Sequence, residues 1–240
     1  MESADPDVIS ANDLKASPEE VFEAIKLINE AGAARGESGL PELFPGINFV
    51  HGLKGETRKT FELNYEFMKK VLKSGLMVRR VNLRQVMTFA GTPMQGQNEA
   101  VRRNRELFLR YKEKMRNEID LPMLRLVVPA GTILKDVRTE IYNKITFGRQ
   151  LGTYPLLVGI PLKLDPGRTF DILVTDHGRR SITGIPIPID INSLPLKLLN
   201  MLPGIDHKQV AEVMRRRPFI GKEDIINRTS IRGKILDYIE

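Results

Sequence analysis

The sequence predicts a mixed α/β protein in three successive parts: parallel β/α units, then a small β-barrel, then an all-α tail of helices joined by a hairpin. Three observations predict it. Helical and strand periodicities alternate over residues 1–96, the pattern of parallel β/α units. Five short β-prone runs separated by glycine and proline occupy residues 122–191, as in a small barrel. Over residues 192–240 two apolar helical stripes flank Leu202-Pro203-Gly204-Ile205, where proline and glycine break the helix. A basic connecting helix over 97–121 separates the first part from the second.

The elements follow from local signals. Ser17-Pro18-Glu19-Glu20 combines a hydroxyl cap, proline at the first helical position and acids in the first turn, and Val21, Phe22, Ile25 and Ile28 follow at helical spacing. Gly32 ends that helix. Ile47 to His51 is short and β-prone and runs into Gly52-Leu53-Lys54-Gly55-Glu56-Thr57, a tight turn in which Thr57 caps the next helix. That helix carries Phe61, Tyr65, Met68, Val71 and Leu72 on one face and stops near Gly75, and Met77 to Met87 alternates as a further strand. Asn98 to Asp120 reads as one long basic helix with Val101, Phe108, Tyr111 and Met115 near heptad spacing, closed by Pro122. Its charged face has two readings, a solvated surface balanced by i,i+4 acids or a surface for a polyanion. The barrel runs are Arg125–Val128, Val137–Tyr142, Leu156–Ile160, Phe170–Thr175 and Ser181–Ile187. In the tail, Leu194, Leu198, Leu199, Met201 and Leu202 form one stripe and Val210, Ala211, Val213 and Met214 the next.

Composition bounds the chemistry. The chain has 240 residues and a formal net charge of +7. The excess is local: residues 97–150 carry 12 basic and seven acidic side chains and 192–240 carry nine and six, against 12 and 13 in 1–96 and four and four in 151–191. A polyanionic partner, nucleic acid, is the expectation. There is no cysteine, so these residues offer no disulfide and no thiolate ligand. His51, His177 and His207 are scattered too widely for a metal motif; each is expected as a solvated or hydrogen-bonded ring, and no metal site is expected. No apolar run approaches a membrane span and no basic, apolar leader opens the sequence, so no membrane partner and a cytoplasmic location are expected. Absence of Cys and Trp with abundant Arg, Lys and Glu suits a thermophile.

Motif order carries a resemblance. Ser3-Ala4-Asp5-Pro6, Gly52-Leu53-Lys54-Gly55-Glu56-Thr57 and Thr88-Phe89-Ala90-Gly91-Thr92-Pro93 are similar to the stretches after the fourth, fifth and sixth strands of the radical S-adenosylmethionine (SAM) barrel, in its methylthiotransferase-like branch and related archaeal proteins. The match covers roughly residues 3 to 94. Lys54 stands where the family has proline, and the cluster-binding Cys-x3-Cys-x2-Cys has no counterpart here. The resemblance implies a partial TIM-like β/α barrel, a SAM contact at Ser3 and at the turn bearing Gly52, Gly55 and Glu56, and SAM and a [4Fe–4S] cluster for a complete family member, though none held by this chain alone. An ordinary βα turn is the other reading of those residues. No catalytic residue is assigned.

Gly167 to Asp176 followed by Ser181 to Gly184 loosely resembles the TRAM or OB-like barrel of RNA-modifying radical SAM enzymes, with Arg168, Arg179, Arg180, Tyr154 and Phe170 as candidate contacts. The tail resembles the helix-hairpin-helix family, whose Leu-Pro-Gly-Ile-Gly hairpin binds nucleic-acid backbone without reading sequence. Asp206 replaces the second glycine, and the partner hairpin is reduced to Thr229-Ser230-Ile231-Arg232-Gly233. By that resemblance Pro203, Gly204, Ile205, Lys208, Arg215, Arg216 and Arg217 are the expected nucleic-acid contacts; a packing cap is the other reading. The expected function is the C-terminal portion of a radical SAM enzyme that cradles SAM and docks nucleic acid but is not competent alone. A non-enzymatic DNA- or RNA-binding protein is the alternative, and a purely structural assembly partner stays open. Two barrel strands leave open parallel edges, so a partner chain or a second copy is expected to cover them.

Overall fold

A computed structural model describes residues 1–92, 94–152 and 155–240. The chain forms two units: residues 1–36 with 40–127, and residues 37–39 with 128–240. The connecting helix therefore belongs to the first unit, and the barrel and the terminal helices together make the second. Pro93 and Tyr154, which figure in the resemblances, lie outside the described residues.

In the first unit α1 (Pro6–Ala11) and α2 (Pro18–Gly32) precede β1 (Gly46–His51), α3 (Arg58–Lys73) and β2 (Arg80–Gln85). The expected hydroxyl cap is present on α2 and is part of a capping box: the Ser17 hydroxyl accepts from the Glu20 amide at 3.2 Å and the Glu20 carboxylate accepts from the Ser17 amide at 2.8 Å. β1 and β2 pair in parallel, in register from Gly46↔Arg80 to His51↔Gln85, with α3 as the crossover that parallel strands require. Period-two alternation sends Ile47, Phe49 and His51 to the buried face of β1. Phe61, Met68 and Val71, on one face of α3, are buried as well, and Phe61 stacks on His51. Asn29 fixes the approach to β2, its amide donating to the Met77 carbonyl at 3.0 Å and accepting from the Met77 amide at 2.7 Å.

The long basic helix is not continuous. It consists of α4 (Asn98–Arg103), α5 (Arg105–Met115), a π-helical turn (Arg116–Asp120) and α6 (Leu121–Val127). Pro122 does not close it, because the wider π turn immediately before gives its ring room. Arg125–Val128, expected as the first barrel strand, is instead mostly helix: Met123, Leu124 and Val127 extend the buried stripe of Met115 and Ile119.

The second unit is a closed barrel of β3 (Ile133–Asn143), β4 (Ile145–Gln150), β5 (Leu157–Ile160), β6 (Thr169–His177) and β7 (Ser181–Ile187), ordered β3-β4-β5-β7-β6. The β5–β7 pair is parallel and the others antiparallel. The small barrel is thus as expected, but with β4, not Arg125–Val128, as its remaining strand. Two buried threonines hold the β5–β6 connection: Thr139 donates to the Asp165 carbonyl at 2.7 Å and Thr146 to the Leu162 carbonyl at 2.7 Å. The tail comprises α7 (Leu196–Leu199), α8 (His207–Arg216), α9 (Gly221–Arg228) and a 3₁₀ turn (Lys234–Tyr238). Its apolar side chains, among them Leu199, Val210, Val213, Ile225 and Ile235, share one core with Leu173 and Ile185 of the barrel. The Ile189 amide donates to the Tyr238 carbonyl at 2.7 Å, which ties the end of the chain to the exit of β7.

A shared core makes a testable demand. Truncating fully buried Leu199 to alanine should cost about 2–5 kcal/mol, and hydrogen exchange should show barrel amides at Leu173 and Ile185 losing protection together with those of α8. Barrel protection unchanged while α8 opens would show two separate cores.

Candidate functional site

In open β/α sheets and in β/α barrels ligands sit at the carboxyl ends of the strands, and here that end is His51 with the turn Gly52 to Thr57. Gly52 and Gly55 adopt φ of +89° and +79°, so both positions favour glycine. A Cβ at Gly52 would lie 2.4 Å from Val101 of α4, and one at Gly55 would lie 3.6 Å from the Ala11 side chain and 3.8 Å from the Asp7 carbonyl. The turn ends with the Thr57 amide donating to the Thr60 hydroxyl at 3.0 Å.

Glu56 does not face outward. Its carboxylate and the His51 ring are 2% and 1% exposed, with Nδ1 of His51 2.9 Å from Oε2. The Asn104 amide, at the joint between α4 and α5, donates to the other Glu56 oxygen at 3.3 Å. Phe61 stacks on His51 with ring centres 4.4 Å apart, and Phe108 and Tyr111 meet it edge-on at 5.3 and 5.0 Å. Nε2 of His51 and the Tyr111 hydroxyl are buried and have no hydrogen-bond partner among the described residues. Burial first, then the Glu56 and Asp120 carboxylates, hold the Tyr111 phenol far above its ordinary range. Beside this cluster Arg116 and Asp120 form an almost buried ion pair within the π turn. Further out the Tyr65 hydroxyl donates to Glu118 at 2.6 Å, and that bond raises the phenol to about 12.

Ser3 is likewise enclosed, only 1% exposed, with its hydroxyl accepting from the Asp5 amide at 3.1 Å. Around it the Ala4 amide donates to Asn64 at 2.6 Å and the Thr60 hydroxyl donates to Asp5 at 2.6 Å. The two side chains expected to contact SAM thus serve internal networks, and the turn's backbone is what remains for a ligand. The networks draw on Asn64 and Asn104, which sequence reading did not single out, and on His51, expected as a solvated or hydrogen-bonded ring and found hydrogen-bonded; β1's alternation was the available signal for its burial. Among the described residues no group of three or more His, Asp or Glu side chains is placed to hold a metal ion.

At the other candidate site Pro203, Gly204 and Ile205 form the turn between α7 and α8, with Gly204 exposed and at φ +84°. Gly233, between α9 and the 3₁₀ turn, likewise has a positive φ, +85°. Asp206 caps α8: its carboxylate accepts from the Gln209 amide at 2.9 Å while Gln209 accepts from the Asp206 amide at 2.8 Å. The chain's own anion therefore takes one of the amides a phosphate would use. Lys208 and Arg215, seven residues apart, share a helix face, and both are exposed, as is Arg216. Arg217 departs from the expectation. It turns inward, donates to the Leu194 carbonyl at 2.7 Å, and burial lowers its pKa. In the barrel Arg168 is exposed and Phe170 half-buried, and Arg179 and Arg180 already have partners within the protein. His177 and His207 are hydrogen-bonded rings, to the Val128 carbonyl at 2.5 Å and to Asn200 at 2.8 Å.

Two measurements check this geometry. Glu56→Ala should destabilise the protein by about 1–3 kcal/mol by stranding a buried ring nitrogen, and adding His51→Phe should recover part of that loss in chemical denaturation; strictly additive losses would remove the pair from the account. For Tyr65 the folded pKa of about 12 exceeds the ordinary 10.0, so its stabilisation is complete below pH 10 and disappears as pH climbs through 12. Tyr65→Phe should flatten that part of the stability–pH curve, and an identical curve would contradict the hydrogen bond to Glu118.

No family model matches the chain. An uncharacterized protein of Archaeoglobus fulgidus is 45% identical over 219 residues, 91% of this chain and 41% of that protein. An uncharacterized protein of Methanocaldococcus jannaschii is 50% identical over 188 residues, 77% of this chain and 35% of that protein. The chain spans about two-fifths of the length of these relatives.

Proposed function

We propose that this chain supplies the later strands of a radical SAM enzyme of archaeal type and docks its nucleic-acid substrate through the second unit. The observation that carries the reading is the parallel β1–α3–β2 unit with a glycine-bearing turn at the carboxyl end of β1, both glycines at positive φ. A partial TIM-like barrel has this arrangement and an open edge. The barrel order β3-β4-β5-β7-β6, with its single parallel pair β5–β7, is that of an OB-like fold, which supports the TRAM/OB-like reading. The paired positive-φ glycines Gly204 and Gly233 support a double helix-hairpin-helix.

SAM, when bound beside a reduced cluster, supplies an organic radical. The residues present do not fit the cluster, since the chain offers no thiolate. Toward SAM they offer the backbone of Gly52 to Glu56, which Glu56 ties to His51 and Asn104, while Ser3 holds the segment before α1. A second reading, a non-enzymatic nucleic-acid-binding protein, is favoured by one observation: both of those side chains are fully engaged inside the protein.

Ligand-induced stabilisation separates the two. At about a hundred times its Kd, SAM should add about 2.7 kcal/mol to folding stability, visible as a raised Tm in scanning fluorimetry. An unchanged Tm at millimolar SAM would leave only the second reading. Replacing Arg215 and Arg216 with alanine should weaken duplex binding and reduce its salt slope by about two units; unchanged binding would remove the hairpin from both readings.

A further inference from the structure

The loop from Arg217 to Ile220, between α8 and α9, is tightly bonded and yet displays one apolar side chain to solvent. Asn192 grips Phe219, donating to its carbonyl at 3.0 Å and accepting from its amide at 2.8 Å. Arg228 donates to the Pro218 carbonyl at 2.9 Å and also to the Arg216 carbonyl, and its guanidinium lies over the buried Phe219 ring, 4.9 Å from the centre. The Ile220 amide donates to Asp224 at 3.0 Å. Ile220 itself is 91% exposed, and a Cβ on the next residue, Gly221, would meet no atom within 4 Å beyond its chain neighbours.

Two features of this loop need a reason. The fold asks nothing of the Ile220 side chain: the backbone bonds and Phe219 fix the loop, and a serine at this position would leave all of them in place. A loop ordered in advance loses little entropy when it meets a partner, so the bonding serves to present this residue. Cations flank it as well, Arg215 and Arg216 before and Lys222 after, all exposed. The acids nearby are engaged inside the protein, Asp224 by the Ile220 amide and Arg228 and Glu212 by the Ser230 amide at 2.6 Å, which leaves Glu223 as the exposed acid in the first turn of α9. Interface cores between proteins are depleted of charge, whereas an aliphatic side chain between cations suits a base step, which it enters while the cations hold the phosphates. Resting on the reading that the second unit docks nucleic acid, we propose that Ile220 is a wedge that enters a base step of duplex nucleic acid beside an unpaired nucleotide. Arg216 and Lys222 hold the flanking phosphates. The ten residues of α8 separate this loop from the Gly204 turn by about 15 Å, so the contact adds to that of the hairpin and selects distorted duplex over regular duplex.

Fluorescence titration on the full chain tests it, with 2-aminopurine placed beside a single unpaired nucleotide in short DNA and RNA duplexes and with perfectly paired duplexes as the comparison. The wild type should prefer the bulged duplex and brighten the probe as the neighbouring base unstacks. Ile220→Ser, at an exposed position that leaves Tm unchanged, should bind the bulged duplex about tenfold more weakly, lose both the preference and the brightening, and keep the salt slope. Ile220→Leu should restore all three properties, and Lys222→Ala should reduce the salt slope by about 0.9. Binding that is equal in wild type and Ile220→Ser, without brightening, but is lost in Arg215→Ala/Arg216→Ala would overturn the wedge and leave the hairpin reading standing. Failure of the wild type to bind any of the duplexes would overturn both. A dimer that Ile220→Ser converts to monomer in light scattering would assign the loop to a second copy of the chain and overturn the proposal.

Discussion

A parallel pair of strands cannot complete itself. It needs a crossover to return the chain, cover on its faces and a neighbour for each edge, and the organisation of the first unit follows from those needs. The crossover is α3, with Phe61, Met68 and Val71 buried on its apolar face and Phe61 stacked on His51 at the end of β1. On the free side of β1 the Val50 amide donates to the Glu2 carbonyl at 2.9 Å. Among the described residues no strand pairs with the far edge of β2. The alternation that buries Phe49 also buries His51, and a buried imidazole requires a partner. Glu56 provides it, which draws the turn's one carboxylate away from the position where a ligand would meet it.

The second unit meets the edge problem differently, by closing its sheet. Closure leaves an apolar end that the terminal helices cover, with Leu199, Val213 and Ile225 in the same core as Leu173. Helices of four to ten residues are marginal alone; packing on the barrel is what gives the two glycine turns a fixed geometry. Arg217 shows the cost of that anchoring, because a residue at the basic end of α8 is used to satisfy the Leu194 carbonyl ahead of α7.

Much of this was legible in the sequence where a local signal and the tertiary demand agree. Ser17-Pro18-Glu19-Glu20 specified its hydroxyl cap, and the two parallel strands and four of the five barrel strands followed from short β-prone runs. β4 was missed because Ile145-Thr146-Phe147-Gly148-Arg149-Gln150 has a glycine at its centre and follows β3 after a single left-handed residue, Lys144, with no turn sequence to announce it. Arg125–Val128 misled in the opposite direction: Pro122 reads as a helix stop and the run after it as a strand, although Met123 and Val127 continue the four-residue spacing of Met115 and Ile119. At the candidate site the turn's position was readable and its side-chain roles were not. Ser3 and Glu56 lie near the expected place, but their partners, Asp5 and His51 with Asn104, depend on a fold in which α1, α3 and α5 converge on one strand end.

The account's central claim is that β2 is an edge built to receive further strands. Residue-resolved hydrogen exchange on the dilute chain tests it most directly. The outward-facing amides of Arg80 to Gln85 should exchange nearly as fast as unstructured backbone while those bonded to β1 stay protected, and the fast set should become protected in a polypeptide of the relatives' full length. Uniform protection along β2 in the dilute chain would contradict the claim.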